Sequence, residues 1–178
     1  YLHFAICFCY SYWHPELGDG MILIHNSHMK GMWNTGVEEL MRLANDNTPH
    51  LMPARLTSIQ DALTGILDDS ELDGIRGIQM SMNRHLYVLS NPKRYMGAAT
   101  ILYPEIWTDV AAQLLGNFYI LPCNVNEVLI MQDNRHYNGE FLHREMVAIN
   151  SKNARKEDIL YDYAYHYDVS SGVLSEMR

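Results

Sequence analysis

Basic runs, paired cysteines, long apolar stretches and phosphate-binding glycine loops are all missing from this 178-residue chain. Lys and Arg number 13 against 21 Asp and Glu, a formal charge of -8. The densest basic patch, Lys152, Arg155 and Lys156, runs straight into Glu157 and Asp158. Proteins that hold a polyanion need a basic face, so no nucleic acid is expected as partner. Cys7, Cys9 and Cys123 form an odd set without paired spacing. That pattern reads as free thiols in a reducing compartment, hence a cytoplasmic location. No apolar run approaches the roughly 20 residues of a membrane span, and no membrane is expected as partner. The opening "YLHFAICFCYSYW" has no Lys or Arg and so lacks the charged start of a signal peptide. Because it begins at Tyr1, the natural start of the protein is expected to lie further upstream. P-loop, GxGxxG and GxSxG patterns are absent too.

What is present is ordinary globular material, 48% apolar and 19% charged, enough to bury a core. Aromatic and branched residues over Tyr1 to Trp13 predict a strand, His14-Pro15 to Gly20, with Gly18, Asp19 and Gly20 in a row, a turn, and "MILIHN" a returning strand. Thr35 and Glu38 have capping-box spacing. Val37, Leu40, Met41 and Ala44 continue one helical face, ending over Asn45 to Pro49. A second helix opens at Thr57 or Ser58, with Ile59, Ala62, Leu63, Ile66 and Leu67 as its stripe. Residues 68–81 are polar and read as a loop.

The pattern then repeats. "HLYVLS" is a strand, 91–94 a turn, "MGAATILY" a returning strand, and Ile106, Trp107, Val110, Ala111 and Leu114 a helix stopped by a left-handed Gly116. "NFYILP" and "NEVLIMQD" are strands, and Asn138 to Ile149 a helix with Leu142, Met146 and Ile149 inward. Residues 155–160 suggest a short helix, and Tyr163 to Asp168 a last strand. The expected class is α+β: antiparallel sheet built from two hairpin-helix modules, with helices packed on one face. Residues 1–178 read as a single unit, divisible into two similar subdomains, 1–70 and 82–178, joined by the loop 68–81. Duplication or chance would produce the same echo.

Chemistry is sparse. Cys123 follows Pro122 on a corner, but a nucleophilic thiol needs a nearby base and none lies in the motif. His3, His25 and His28 could meet Cys7 or Cys9 at a metal, yet their spacing fits no established zinc pattern, so no metal and no cofactor are expected. Tyr161, Tyr163, Tyr165 and Tyr167 alternate along a strand, which places four rings on one face, buried against helices. The acidic pairs Glu38-Glu39, Asp68-Asp69 and Glu157-Asp158 suit helix starts and loops better than acid-base work.

Two long segments carry a resemblance. "ILIHNSHMKGMWNTGVEELMRLANDNTPHLMPARLTSIQDAL" and "LYVLSNPKRYMGAATILYPEIWTDVAAQLLGNFYILPCNVNEVLIMQDN" resemble the bacterial domain-of-unknown-function 5688 family, as does the tail from Asp162 to Asp168. The resemblance spans nearly the whole chain and implies no particular activity. It implies serines at positions 123 and 124 and a histidine at 126, where this chain has Cys123, Asn124 and Asn126. A Ser-His pair in relatives would therefore be lost here. The leading expectation is a non-enzymatic domain, accessory or interacting with another protein. The alternative is a hydrolase-like or small-ligand-binding domain with its site near Asn124, Glu127 and Asp133.

Overall fold

The structure is a computed structural model, and it describes residues 1–59, 61–62, 86–133, 137–152 and 155–178. The expected loop 68–81, the positions Leu63, Ile66 and Leu67 of the expected second helix, and His136 lie outside the described residues. The chain divides into two compact units, Tyr1–Leu51 and Met52–Arg178.

In the first unit the expected hairpin forms. β1 (Cys9–His14) and β2 (Gly18–Leu23) pair antiparallel, with Tyr10 opposite Ile22 and Ser11 opposite Met21. Pro15 presets the turn, and Gly18 takes the left-handed φ of 74° that closes it. A π-helical turn over Ser27–Met32 follows, with Met29 buried. α1 then runs Val37–Leu51, past the expected stop. Pro49 falls in the last turn, where its missing N–H removes one bond without ending the helix.

The second unit is a six-stranded antiparallel sheet in the order β3-β4-β6-β5-β7-β8. Its strands are β3 (Arg55–Ser58), β4 (Leu86–Ser90), β5 (Phe118–Asn124), β6 (Glu127–Gln132), β7 (Ala164–Asp168) and β8 (Val173–Met177). The α+β class therefore holds. Ser58 caps the helical segment that begins at Ile59, as expected: its Oγ accepts from the Asp61 amide at 3.1 Å and donates to Asp61 Oδ2 at 2.6 Å. The strand just before it, β3, carries no strong local signal and exists because β4 offers it an edge.

Residues 97–102 depart from expectation. They form a 3₁₀ helix, not a returning strand. β4 already has β3 on one edge and β6 on the other, so no edge is left for a strand to pair with. The second hairpin of the expected module is thus replaced by long-range pairing. The helix after it, α2 (Ile106–Leu114), buries Ile106, Val110, Ala111 and Leu114, the stripe its periodicity predicts. Its left-handed terminus is Leu115 at φ 58°, not Gly116, and Leu115 is 88% exposed. The Leu115 amide donates to Ala111 O at 2.8 Å, closing the last turn one residue early.

Helices packed on one face is the expectation that fails. Successive residues of β5 point to opposite faces. Tyr119, Leu121 and Cys123 join Val88, Leu129, Met131 and Ala164 in a core capped by Leu142, Met146 and Ile149 of α3 (Gly139–Lys152). Phe118 lies on the other side, within ring contact of Trp107 of α2 at 6.2 Å and Tyr167 of β7 at 5.1 Å. Both faces of β5 are dry, so its residues read as a continuous apolar run. Each fully buried Leu or Met in such a core contributes about 1.5–3 kcal/mol.

Candidate functional site

The β5–β6 corner holds two of the sequence-derived site residues. Asn124 and Glu127 face each other across the turn. Asn124 Oδ1 accepts from the amides of Asn126 at 2.8 Å and Glu127 at 3.2 Å, so this side chain builds the turn. The ladder is irregular between Leu121 and Asn124, where Pro122 has no N–H to give. The segment after α3 seals the corner: Leu160 N–H donates to Cys123 O and Tyr161 N–H to Pro122 O, both at 3.3 Å. Cys123 itself is buried and its thiol lies 3.3 Å from Leu121 O. Burial pushes that thiol well above its ordinary range, and the neighbouring Glu127 carboxylate adds to the shift. A thiol held protonated inside a core is no nucleophile.

Asp133 sits at the far end of β6, roughly 20 Å along the strand from the turn at about 3.3 Å per residue. The three expected site residues are therefore not brought together. Asp133 has its own surroundings. One carboxylate oxygen accepts from the Tyr119 hydroxyl at 3.0 Å, and the other meets His166 Nε2 at 3.0 Å. The carboxylate is 3% exposed and the imidazole 18%. Burial, then the Asp133 carboxylate, push the Tyr119 phenol far up. This network ties the ends of β5, β6 and β7 together through a charged group that has found partners.

The other early candidates disperse. His28 Nδ1 accepts from the His25 amide at 3.0 Å, and the His28 ring stacks on Trp33. Among the described residues no three His, Cys, Asp or Glu side chains are grouped to hold a metal ion. His143 Nδ1 lies 2.9 Å from Asp162 O, its ring stacked on Tyr163. The chain bends at Asp162 and Tyr163 before β7 starts, so the tyrosine alternation is broken. Tyr163 goes to α3 while Tyr167 goes to Phe118 on the opposite face, and one stripe of four rings does not form.

A cleft of about 200 Å³ that sequence reasoning missed lies at the β3–β4 end of the sheet. Val88 and Ala62 form its apolar floor, with Thr57, Asp61, Arg55 and Arg94 around it. Arg55 pairs with Ser90, and the chain then turns through Asn91 to Arg94. That turn is held from several sides. Buried Asn91 donates through Nδ2 to Tyr95 O at 2.8 Å and accepts at Oδ1 from the Lys93 amide at 3.0 Å. Asn126 Oδ1 accepts from the Met96 amide at 3.1 Å, and Ser90 Oγ donates to Asn126 O at 2.7 Å. Arg94 and Met96 are left-handed, at φ 47° and 51°. Side chains that over-determine a loop can hold such strain, which costs about 1–3 kcal/mol per residue. The motif "SNPKRYMG" signalled only a turn, because the residues facing it come from β3 and from the β5–β6 corner.

The first unit presents apolar surface. One face of its hairpin carries Tyr10 and Tyr12, with Tyr10 in edge contact with Trp33 at 5.9 Å. The other carries Trp13, Met21 and Leu23. Trp13 is 68% exposed, and Leu17 at the tip is 74% exposed.

No described helix is long and apolar enough to cross a membrane. The sequence model of the Family of unknown function (DUF5688) matches residues 1–169, and the chain belongs to that family. No curated protein and no solved structure matches it.

Proposed function

We propose that this family member is a non-enzymatic interaction or accessory domain, and that the hairpin of its first unit is the surface that meets a partner protein. The observation that supports this is the run of large apolar side chains left in water: Trp13, Leu17 and Leu23, with both strands of a two-stranded sheet exposed or half-exposed along their length. A two-stranded ribbon is marginal by itself, and large exposed apolar patches on soluble proteins commonly mark contact sites. Among the described residues β1 and β2 each have one neighbouring strand only. An extended partner segment can therefore add to an edge while its apolar side chains cover Trp13 and Leu23. The acidic charge speaks against nucleic acid as that partner, and exposed free Cys7 and Cys9 suit a reducing cytoplasm.

The test is co-purification from the native host with wild-type chain, with Trp13→Ser plus Leu17→Ser, and with Tyr161→Phe in the second unit. A defined protein retained by the wild type and by Tyr161→Phe, and lost with the hairpin variant, is the expected outcome. Equal retention by all three would remove the hairpin from the reading.

A further inference from the structure

We propose that the cleft between β3 and the Asn91–Arg94 turn is a binding site for a small molecule bearing an oxyanion, a carboxylate or a phosphoryl group, gripped by Arg55 and Arg94. Four observations converge on it. First, the chain is acidic overall, yet the guanidinium groups of Arg55 and Arg94 both line this cleft and neither has a hydrogen-bond or ion-pair partner among the described residues. Three of the other four described arginines are engaged, exposed Arg155 being the exception: Arg42 holds Glu39 and Asp46, Arg178 holds Glu176, and Arg144 lies over the Phe141 ring. Two positive side chains lining one cleft outnumber its single acid, Asp61, and an incoming anion offsets the excess.

Second, guanidinium is the group whose planar fork matches two oxygens at once, and such charge-assisted bonds are the strong ones. Thr57, half-buried in the same wall, adds a hydroxyl that has no partner among the described residues. Asp61 is the acid at the rim, and it already accepts from the Ser58 hydroxyl at 2.6 Å. Third, Arg94 is delivered by a strained turn that Asn91 and Asn126 hold in place. With its backbone already held, Arg94 has only side-chain freedom left to lose on binding, which favours affinity. Fourth, the cleft measures about 200 Å³ above an apolar floor of Val88 and Ala62. Drug-sized ligands occupy roughly 300–1,000 Å³, so the occupant is a small acid or the charged end-group of something larger. The chain's net charge of -8 disfavours a polyanion.

The experiment is an amide chemical-shift titration of the full chain with sodium phosphate and, separately, sodium acetate, at a constant ionic strength of about 0.15 M to screen diffuse attraction. Saturable shifts at Thr57, Ser90 and Arg94 are expected with at least one anion. Arg55→Gln and Arg94→Gln should each weaken binding about tenfold, the loss of one charge-assisted bond. Arg42→Gln, on α1, should leave it unchanged. Tighter phosphate binding assigns a phosphoryl ligand, and tighter acetate binding a carboxylate. Linear, unsaturating shifts with both anions overturn the proposal, as does saturable binding that survives in the double variant.

Discussion

The β1–β2 and β5–β6 hairpins make a natural experiment in what a strand sequence means. "CYSYWH" in β1 and "FYILPCN" in β5 are both rich in strand-forming residues. Every residue of β1 is exposed, while every residue of β5 but the last is buried. The difference is not in the strands. β5 has β6 and β7 on its two edges, α3 on one face and α2 on the other, whereas among the described residues β1 has β2 alone as a strand neighbour. Position in the sheet, not propensity, separates a core from a candidate docking face.

That contrast can be broken at graded cost. Phe118→Ala should be the most damaging substitution, about 3–5 kcal/mol, because a fully buried ring leaves a cavity between α2 and β7. Urea unfolding measures it, and a loss under about 1 kcal/mol would mean that this face is not the core described. Gly97→Ala should cost about 1–3 kcal/mol, since a methyl there runs into Ser90 Oγ and Asn126 O. The same variant should weaken anion binding at the neighbouring cleft, which ties the strained turn to that site.

A pH effect should come from the β7–β8 turn. Asp168 accepts from Ser170 Oγ, Ser171 N and Ser171 Oγ, and these bonds lower its pKa to about 2. A lowered folded-state value means stability that is fully present above the usual carboxylate range and is lost as pH falls through about 2. Amide exchange in that hairpin should accelerate over this window, and Asp168→Asn should flatten the dependence. The smallest expected change is Trp13→Ser, within about ±0.5 kcal/mol, because the side chain is already in water. A large destabilisation there would show that the first hairpin is packed in solution and would remove it as a free surface.

Elements closed by local chemistry were legible. Asn138 Oδ1 accepts from the Phe141 amide at 2.8 Å, and Leu142, Met146 and Ile149 follow at helical spacing, so α3 could be read directly. The corner at Asn124 was legible for the same reason. Other elements were not. β8 follows a polar turn with an unremarkable "VLSEM" and exists by pairing with β7. The "GAATIL" stretch has strand composition, but β4, the strand it would return along, has both edges taken. Asp133 was singled out beside Asn124 because it is near in sequence, yet six residues of extended chain carry it to the other end of β6. Its partner His166 lies on β7, and no spacing rule connects the two.

Acidic balance, free thiols, the periods of α1, α2 and α3, and the turn residues of each hairpin follow from neighbouring residues alone, because charge counts and backbone preferences act over a few positions. Which strand became central, which face of each strand went dry, and which two arginines met at one cleft depend on pairing between distant segments. Arg55 lines the same cleft as Arg94 because β3 registers Arg55 against Ser90, just before the turn that carries Arg94. Hydrogen-bonded edges are interchangeable locally, so burial of the whole sheet, rather than any stretch of residues, selects among them.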